Sequence, residues 1–209
     1  MNTLSKRDRT STKILDAAFR AIAARGCNNV TLREVAEESG VALSQLSYYF
    51  GNKDGLFAAV LQRMQGDYAE GLEARLRQCS TFRERLEKLI DYNRFLLREN
   101  TDLYRNFLEF FNFAMASPEF KERVTAFLAD IAGTIEAQIA QHKTSGQERS
   151  PFSSAMITHF ILSASFGISL QRLLAPKNKD IEAGFDITKA AIASLLTAAA
   201  DRESDTRRK

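Results

Sequence analysis

The sequence contains no tryptophan, two cysteines and three prolines among its 209 residues. Cys27 and Cys79 are too few for a disulfide framework, and no segment near the amino end has the pattern of a secretion signal. So few prolines favour long, uninterrupted helices. We therefore expect a cytoplasmic protein built from helices rather than a disulfide-rich secreted domain.

Catalytic motifs and a large excess of one charge are also missing. The chain carries 29 Lys and Arg against 26 Asp and Glu, a net charge of +3 with histidine neutral. Its two histidines are too few for a multi-histidine metal site, and it has none of the short motifs of hydrolases, nucleotide-binding enzymes or metalloproteases. We expect no enzymatic activity, no cofactor and no metal.

One long run without charge needs an explanation, because residues 150–171 contain no Asp, Glu, Lys or Arg. The run is long enough to cross a bilayer, but it includes Pro151, His159, Gln171 and several serines. Those polar groups would be costly in lipid without partners. We predict a helix buried by protein on most sides, and no membrane segment.

Apolar residues recur at helical spacing along nearly the whole chain, and no strand-like alternation is present. A first helix is predicted over residues 8–25, a second from the capping box Thr31–Glu34 to Gly40, a third over residues 43–49, and a fourth capped by Asn52. Longer helices are predicted over residues 82–99, 102–116, 118–141, 151–174 and 181–200, with Ser150 as the cap of the fourth of these.

The second and third helices have the proportions of a helix-turn-helix motif. Leu46 and Phe50 can anchor the third helix inward, which leaves its outer positions to groups that hydrogen-bond to bases and phosphates. Those positions are Ser44, Gln45, Ser47, Tyr48 and Tyr49. Lys53 follows at the start of the next helix, where the dipole does not favour a cation, so a phosphate partner would explain it. On spacing alone, a packed helical hairpin that does not bind DNA is the alternative.

Four segments together resemble the amino-terminal domain of the TetR family, the tetracycline-repressor-like transcription regulators of bacteria. They are ILDAAF at residues 14–19, Gly26, TLREVAEESGV at residues 31–41 and LSYYFGNKDGL at residues 46–56. The resemblance implies an all-α chain: a three-helix helix-turn-helix DNA-binding head over residues 1–52, a larger helical ligand-binding and dimerisation domain over residues 53–200, and a flexible tail over residues 201–209.

The resemblance also implies roles for individual residues. Thr31 and Lys53 would contact the DNA backbone, and the outer polar positions of the third helix would read the DNA. This sequence departs from the family pattern at Ala42, which lacks a capping oxygen worth about 1 kcal/mol, and at Ser47, where a tyrosine is common.

Basic charge is concentrated at the amino end, where residues 1–25 carry a net charge of +4. Lys6, Arg7 and Arg9 are placed to reach the DNA backbone or an adjacent minor groove. A solvated helix with no partner is the alternative.

Aromatic residues are concentrated in the middle helices, where core packing and a ligand pocket are both open interpretations. If the family resemblance holds, an inducer binds here and changes the spacing of two DNA-reading heads. The predicted pocket residues are Tyr92, Phe95, Phe107, Glu109, Phe110, Phe111, Asn112, Phe127 and His159.

The uncharged helix and the last helix show apolar and small residues at heptad-like spacing, which is typical of a four-helix dimer interface. The predicted interface residues are Met156, Phe160, Ser163, Gly167, Leu170, Leu174, Ile192 and Leu195. Packing within the chain is expected to account for part of each helix.

The sequence therefore predicts a ligand-responsive homodimeric regulator, a repressor that a small-molecule inducer releases from a palindromic operator in double-stranded DNA. The alternative is a helical small-molecule-binding module whose head has lost DNA binding. A thiol sensor at Cys27 is a further hypothesis, set against a purely structural thiol.

Overall fold

A computed structural model describes residues 6–140 and 152–206, and the side chains of residues 7–139 and 152–196. The side chain of Lys6 and residues 207–209 of the predicted tail lie outside this description. Within the described residues the chain forms nine α-helices and no strand, which confirms the predicted all-α class. The helices are α1 (Lys6–Arg25), α2 (Leu32–Ser39), α3 (Leu43–Phe50), α4 (Lys53–Leu76), α5 (Phe82–Glu99), α6 (Thr101–Ala116), α7 (Pro118–Ala140), α8 (Ser154–Leu174) and α9 (Gly184–Thr206).

The chain divides into two compact units. Unit 1 comprises Met1–Gly66 and Asp102–Leu128, and unit 2 comprises Asp67–Thr101 and Ala129–Lys209. Helices α4 and α7 each contribute to both units. The predicted domain boundary at residue 52 stays a prediction.

In unit 1, local signals fix the ends of the short helices. The Thr31 hydroxyl accepts a hydrogen bond from the Glu34 amide at 3.3 Å, and the Glu34 carboxylate accepts one from the Thr31 amide at 2.8 Å, which confirms the capping box. Gly40 ends α2 with a φ of 70°, a left-handed conformation that favours glycine. Ala42 precedes α3 without a side-chain cap. Asn52 caps α4 by accepting from the Gly55 amide at 2.9 Å.

The core of unit 1 is aromatic where α4, α6 and α7 supply side chains. Phe57 makes edge-to-face ring contacts with Phe110, Phe113 and Phe120. Phe57, Phe110 and Phe120 are buried. This core anchors the start of α4, the helix that follows α3 directly.

In unit 2, α5 packs against α8 and α9. Ion pairs reinforce this packing: Arg94 binds Asp186 at 2.8 Å, and Glu182 accepts from Arg98 at 2.7 Å and from Arg172 at 3.1 Å. Burial alone would raise the pKa of Glu182, but the hydrogen bonds from its two arginines outweigh burial and lower that pKa.

Helices α8 and α9 approach each other closely at Gly184. A Cβ atom at this position would lie 2.9 Å from Cγ1 of Ile168, inside van der Waals contact. Glycine at 184 therefore permits the observed spacing of the two helices.

The predicted bounds of the last two helices are wrong at three ends. Helix α8 begins at Ser154 rather than at residue 151, because Ser153 is the cap and accepts from the Met156 amide at 3.2 Å. Helix α9 begins at Gly184 after a 3₁₀ turn over Asp180–Ala183, and it continues to Thr206, beyond the predicted end at Ala200. No proline or glycine interrupts residues 191–206.

None of the helices in the described parts of the chain is both long and apolar enough for a membrane crossing.

Candidate nucleic-acid interface and ligand groove

The outward face of α3 is polar, aromatic and uncharged. Leu46 is buried and fixes the inner side of the helix. On the outer side Ser44, Gln45 and Ser47 are exposed, and Tyr48 is 78% exposed. The half-buried Tyr49 packs its ring edge-to-face on Tyr48, with centroids 5.6 Å apart. The structure thus brings all five predicted residues of α3 together on one short helix.

Within unit 1, helix α6 makes two polar contacts with the predicted DNA-binding head, one with the turn after α1 and one with α1 itself. Glu109 accepts a hydrogen bond from the Cys27 amide at 3.0 Å, in the turn between α1 and α2. The buried Asn106 donates to the Phe19 carbonyl at 3.0 Å. Sequence reasoning assigned Glu109 to the ligand pocket and missed Asn106, because neither contact leaves a signal in local sequence. In this structure the Glu109 carboxylate binds the α1–α2 turn.

Lys53 and Thr31 both have partners inside the chain. Lys53 lies over the Phe57 ring, with its ammonium nitrogen 5.5 Å from the ring centroid, and donates to the Asn28 carbonyl at 3.5 Å. The Thr31 hydroxyl donates to the Glu34 carboxylate at 2.8 Å. Both groups are thus held by contacts with α2, α4 and the turn that follows α1. Arg7 and Arg9 are exposed in the first turn of α1.

Three of the predicted pocket residues of unit 1 form ring contacts with one another. The Phe107 ring stacks on Phe111 at a centroid distance of 6.3 Å and lies 5.5 Å from Phe127. Phe107, Phe110 and Phe127 are buried, whereas Asn112 is exposed. These contacts agree with the alternative of core packing.

Unit 2 contains an open groove of about 740 Å³ between the end of α4 and α5. Two predicted pocket residues, Tyr92 and Phe95, line it, together with Ala74, Arg75, Gln78, Cys79, Ser80, Glu84, Lys88 and Asp91. Sequence reasoning missed Arg75, since it lies on a different helix from the aromatic residues it contacts. His159, the third predicted pocket residue of unit 2, is exposed on α8.

Cys27 does not have the surroundings of a reactive thiol. Burial, with a smaller contribution from the negative charge of Glu109, raises the pKa of the Cys27 thiol to about 12. Cys27 and Cys79 are both buried. The structural interpretation of Cys27 is therefore favoured over a thiol sensor.

Helix α8 leaves an apolar face uncovered in the single chain. Met156, Phe160, Leu170 and Leu174 are exposed, the last of them by 78%. Ser163 is exposed and Gly167 half-buried on the same face. Six of the predicted interface residues therefore share one surface of α8.

On α9 the structure places the two predicted interface residues differently, and their role in a dimer stays a prediction. Ile192 is only 1% exposed and packs within unit 2, as do Phe185 and Thr188 on the same side of the helix. Leu195 is half-buried and lines, with Ile192, a small groove beside Met156 and Phe160. The heptad-like stripe of α9 is thus largely intrachain core, and the exposed side of this helix carries Ile187, Ala190 and Ser194.

An all-helical chain that opens with a helix-turn-helix has the architecture of a bacterial transcription regulator. Residues 14–60 match the family model of bacterial regulatory proteins of the tetR family, and residues 82–197 match the model of the C-terminal part of BetI-type transcriptional repressors. The chain belongs to the TetR family. The members of this family are transcriptional regulators, not enzymes, in agreement with the sequence.

Individual relatives are distant. The HTH-type transcriptional regulator BetI of Brucella canis is 30% identical over 109 residues, 52% of this chain and 55% of the relative. The chain thus spans about half the length of the curated relatives that it matches first.

Two solved structures share the fold. FadR of Bacillus subtilis in complex with stearoyl-CoA superimposes with a TM-score of 0.73 at 18% identity, over 88% of this chain and 97% of that one. A transcriptional regulator of Saccharomonospora viridis in complex with choline has a TM-score of 0.74 at 20% identity, over 88% and 96%.

Proposed function

We propose that this chain is a ligand-responsive DNA-binding regulator that acts as a cytoplasmic homodimer. In the simplest form it is a repressor that a small-molecule inducer releases from a palindromic operator. The observation that carries the proposal is the outward face of α3, where Ser44, Gln45, Ser47 and Tyr48 offer hydrogen-bonding groups and no carboxylate. Such groups suit base edges and phosphates in a major groove.

The neighbouring residues support a backbone-contacting role. Lys53 follows the end of α3 by three residues, and Arg7 and Arg9 add exposed positive charge on α1. Lys6 has the sequence position for the same role. Contacts of this kind give affinity that falls steeply with salt.

The dimer is supported by the uncovered apolar face of α8. Hydrocarbon side chains of this size are usually covered when they are contiguous, and Ser163 and Gly167 allow a second helix to approach closely. We assign the exposed side of α9, at Ile187, Ala190 and Ser194, to the same interface. Two copies related by a two-fold axis would present two α3 helices to the half-sites of a palindrome.

The ligand response requires an effector that binds two arrangements of the heads with different affinity. We place the effector site in the helical domain, which the predicted residues from Tyr92 to His159 span. The related structures hold ligands of opposite character, stearoyl-CoA in one and choline in the other, so the fold alone leaves the ligand class open.

Binding to the DNA upstream of the protein's own gene, measured at several salt concentrations, tests the proposal. We expect protection of a palindrome. The logarithm of the binding constant should fall linearly with the logarithm of the salt concentration, with a slope of about −0.9 for each phosphate contact. The absence of any protected palindrome, there or across the genome, would contradict DNA binding. It would favour the alternative of a ligand-binding module with an inactive head, to which the uncapped start of α3 at Ala42 also points.

A further inference from the structure

The groove between α4 and α5 has an unusual cation in its wall. The guanidinium carbon of Arg75 lies 4.4 Å from the centroid of the Tyr92 ring and 4.5 Å from that of Phe95. One of its terminal nitrogens, Nη1, donates to the Gly71 carbonyl at 3.0 Å. Two ring faces and one carbonyl therefore hold the guanidinium in a single orientation.

The charges that line the groove are unequally partnered. Glu84 is engaged in the capping box of α5, where it accepts from the Ser80 and Thr81 amides at 2.7 and 3.3 Å, and Asp91 pairs with Lys189. Neither Arg75 nor Lys88 has a carboxylate within ion-pair distance among the described residues. Arg75 and Lys88 are therefore the two charged side chains of the groove wall that pair with no carboxylate of the described residues.

The apolar part of the groove sets the shape of the ligand. Phe95 is 44% exposed, so part of its side chain remains available to a planar or hydrocarbon group. A quaternary ammonium ligand that bound to the rings of Tyr92 and Phe95 would lie next to the positive charge of Arg75, which already occupies one face of each ring. A carboxylate, by contrast, matches the planar fork of a guanidinium.

We propose that this groove binds a small organic anion, in which a carboxylate pairs with Arg75 and an attached planar apolar body packs on Phe95, with Lys88 adding long-range attraction at the rim. The proposal rests on the proposed function only in treating this anion as the effector. Binding itself depends on the groove alone.

Titration calorimetry of the full chain with three probes of one ring shape tests this inference: 1-naphthoate, neutral 1-naphthamide and cationic 1-naphthylmethylammonium. We expect naphthoate to bind at least tenfold more tightly than either of the others. Equal affinities for the three probes, or a preference for the cation, would overturn the proposal.

Substitutions locate the binding. Arg75→Gln is expected to lower naphthoate affinity at least tenfold, to that of the amide, whereas Arg77→Gln, outside the groove, leaves it unchanged. Lys88→Gln on the exposed face of α5 gives a smaller loss, about twofold to fivefold, and serves if Arg75→Gln fails to fold. Phe95→Leu weakens naphthoate and naphthamide alike and preserves the preference for the anion. Naphthoate binding that is indifferent to Arg75 and Lys88 would overturn the assignment.

DNA binding measured with and without naphthoate separates the two proposals. An anion preference that depends on Arg75, in a chain that protects no palindrome, would support the groove and contradict the regulator. Operator binding in a chain that shows no anion preference would do the reverse. Naphthoate binding without any change in operator affinity would remove the anion as effector and leave the groove as a binding site.

Discussion

Helices α3 and α8 both present an uncovered face in the single chain, but the two faces differ in chemistry. The α3 face carries hydroxyls and an amide, which water solvates without penalty, whereas the α8 face carries Met156, Phe160, Leu170 and Leu174. The free energy of the protein falls when a permanent partner covers exposed hydrocarbon. Exposed polar groups instead suit a partner that binds reversibly and dissociates when the salt concentration rises or the effector binds. The difference supports our proposal that a second subunit covers the α8 face and that the α3 face binds DNA.

The largest effect is expected from a charge placed on the α8 face. Phe160→Asp would bury two unpaired carboxylates per dimer, at a cost of several kcal/mol. We expect a monomer at micromolar concentration in analytical ultracentrifugation, and operator affinity reduced more than a hundredfold because only one head binds at a time. Met115→Asp, at a residue 83% exposed in unit 1, is the matched control and should remain dimeric. A dimeric Phe160→Asp variant with normal operator affinity would remove this face from the interface.

The next effect concerns the support of the α3 face. Glu109→Ala leaves the amide of Cys27 without its carboxylate acceptor, and we expect the free energy of unfolding to fall by about 1–3 kcal/mol. Urea denaturation measures the change. Glu109→Gln keeps an acceptor oxygen and should lose less. If alanine and glutamine variants are equally stable, this hydrogen bond contributes nothing to the head.

The α3 face itself predicts two kinds of loss in DNA binding. Gln45→Ala should lower affinity about tenfold for the preferred base and leave other sequences less affected, since a side chain that reads a base edge contributes discrimination. Lys53→Ala should weaken all sequences alike and reduce the salt slope by about one. Operator libraries measured at two salt concentrations distinguish these outcomes. Identical sequence profiles for the two variants would contradict the separate roles.

The smallest effect is expected behind the α8 face, at Glu182, which is 16% exposed. Its folded-state pKa is lowered below the ordinary glutamate value of about 4.5, so its stabilisation is present above that value and is lost as the pH falls through the folded pKa. Glu182→Gln should therefore lower the free energy of unfolding by about 1 kcal/mol at pH 7, and Tm by about 2–4 °C.

The difference between this variant and the parent should vanish in acid, which thermal melts across a pH series would show. Glu73→Gln, which removes an exposed pair with Arg77, is the control and should change Tm little. A constant difference between Glu182→Gln and the parent down to pH 3 would argue against the ionised carboxylate as the source of the stabilisation.

Signals within a few residues made the head predictable. The Thr31–Glu34 capping box, Gly40 and the Asn52 cap each act over one helical turn, so their geometry follows from the local sequence. The family motifs then placed the polar positions of α3. The start of α8 was mispredicted because the sequence offers two serines as caps: Ser150 lies outside the described residues, and Ser153 is the cap that the structure shows.

Contacts between distant segments could not be predicted in the same way. The stripe through Ile192 on α9 has the spacing of an interface, but a stripe does not specify which neighbour covers it, and here α5 and α8 do so within the chain. The same holds for Arg75, whose aromatic partners lie on α5, and for Glu109, which binds an amide 82 positions earlier.

The close approach of Gly184 to Ile168 couples the evolution of two positions. A methyl group at 184 would collide with the Ile168 side chain, so Gly184→Ala alone should push α8 and α9 apart and disturb the surface that both helices present. A shorter side chain at 168 restores the space, so Gly184→Ala combined with Ile168→Ala should be tolerated better than Gly184→Ala alone. Among relatives that keep this helix crossing, bulk at one of these positions should be exchanged for bulk at the other.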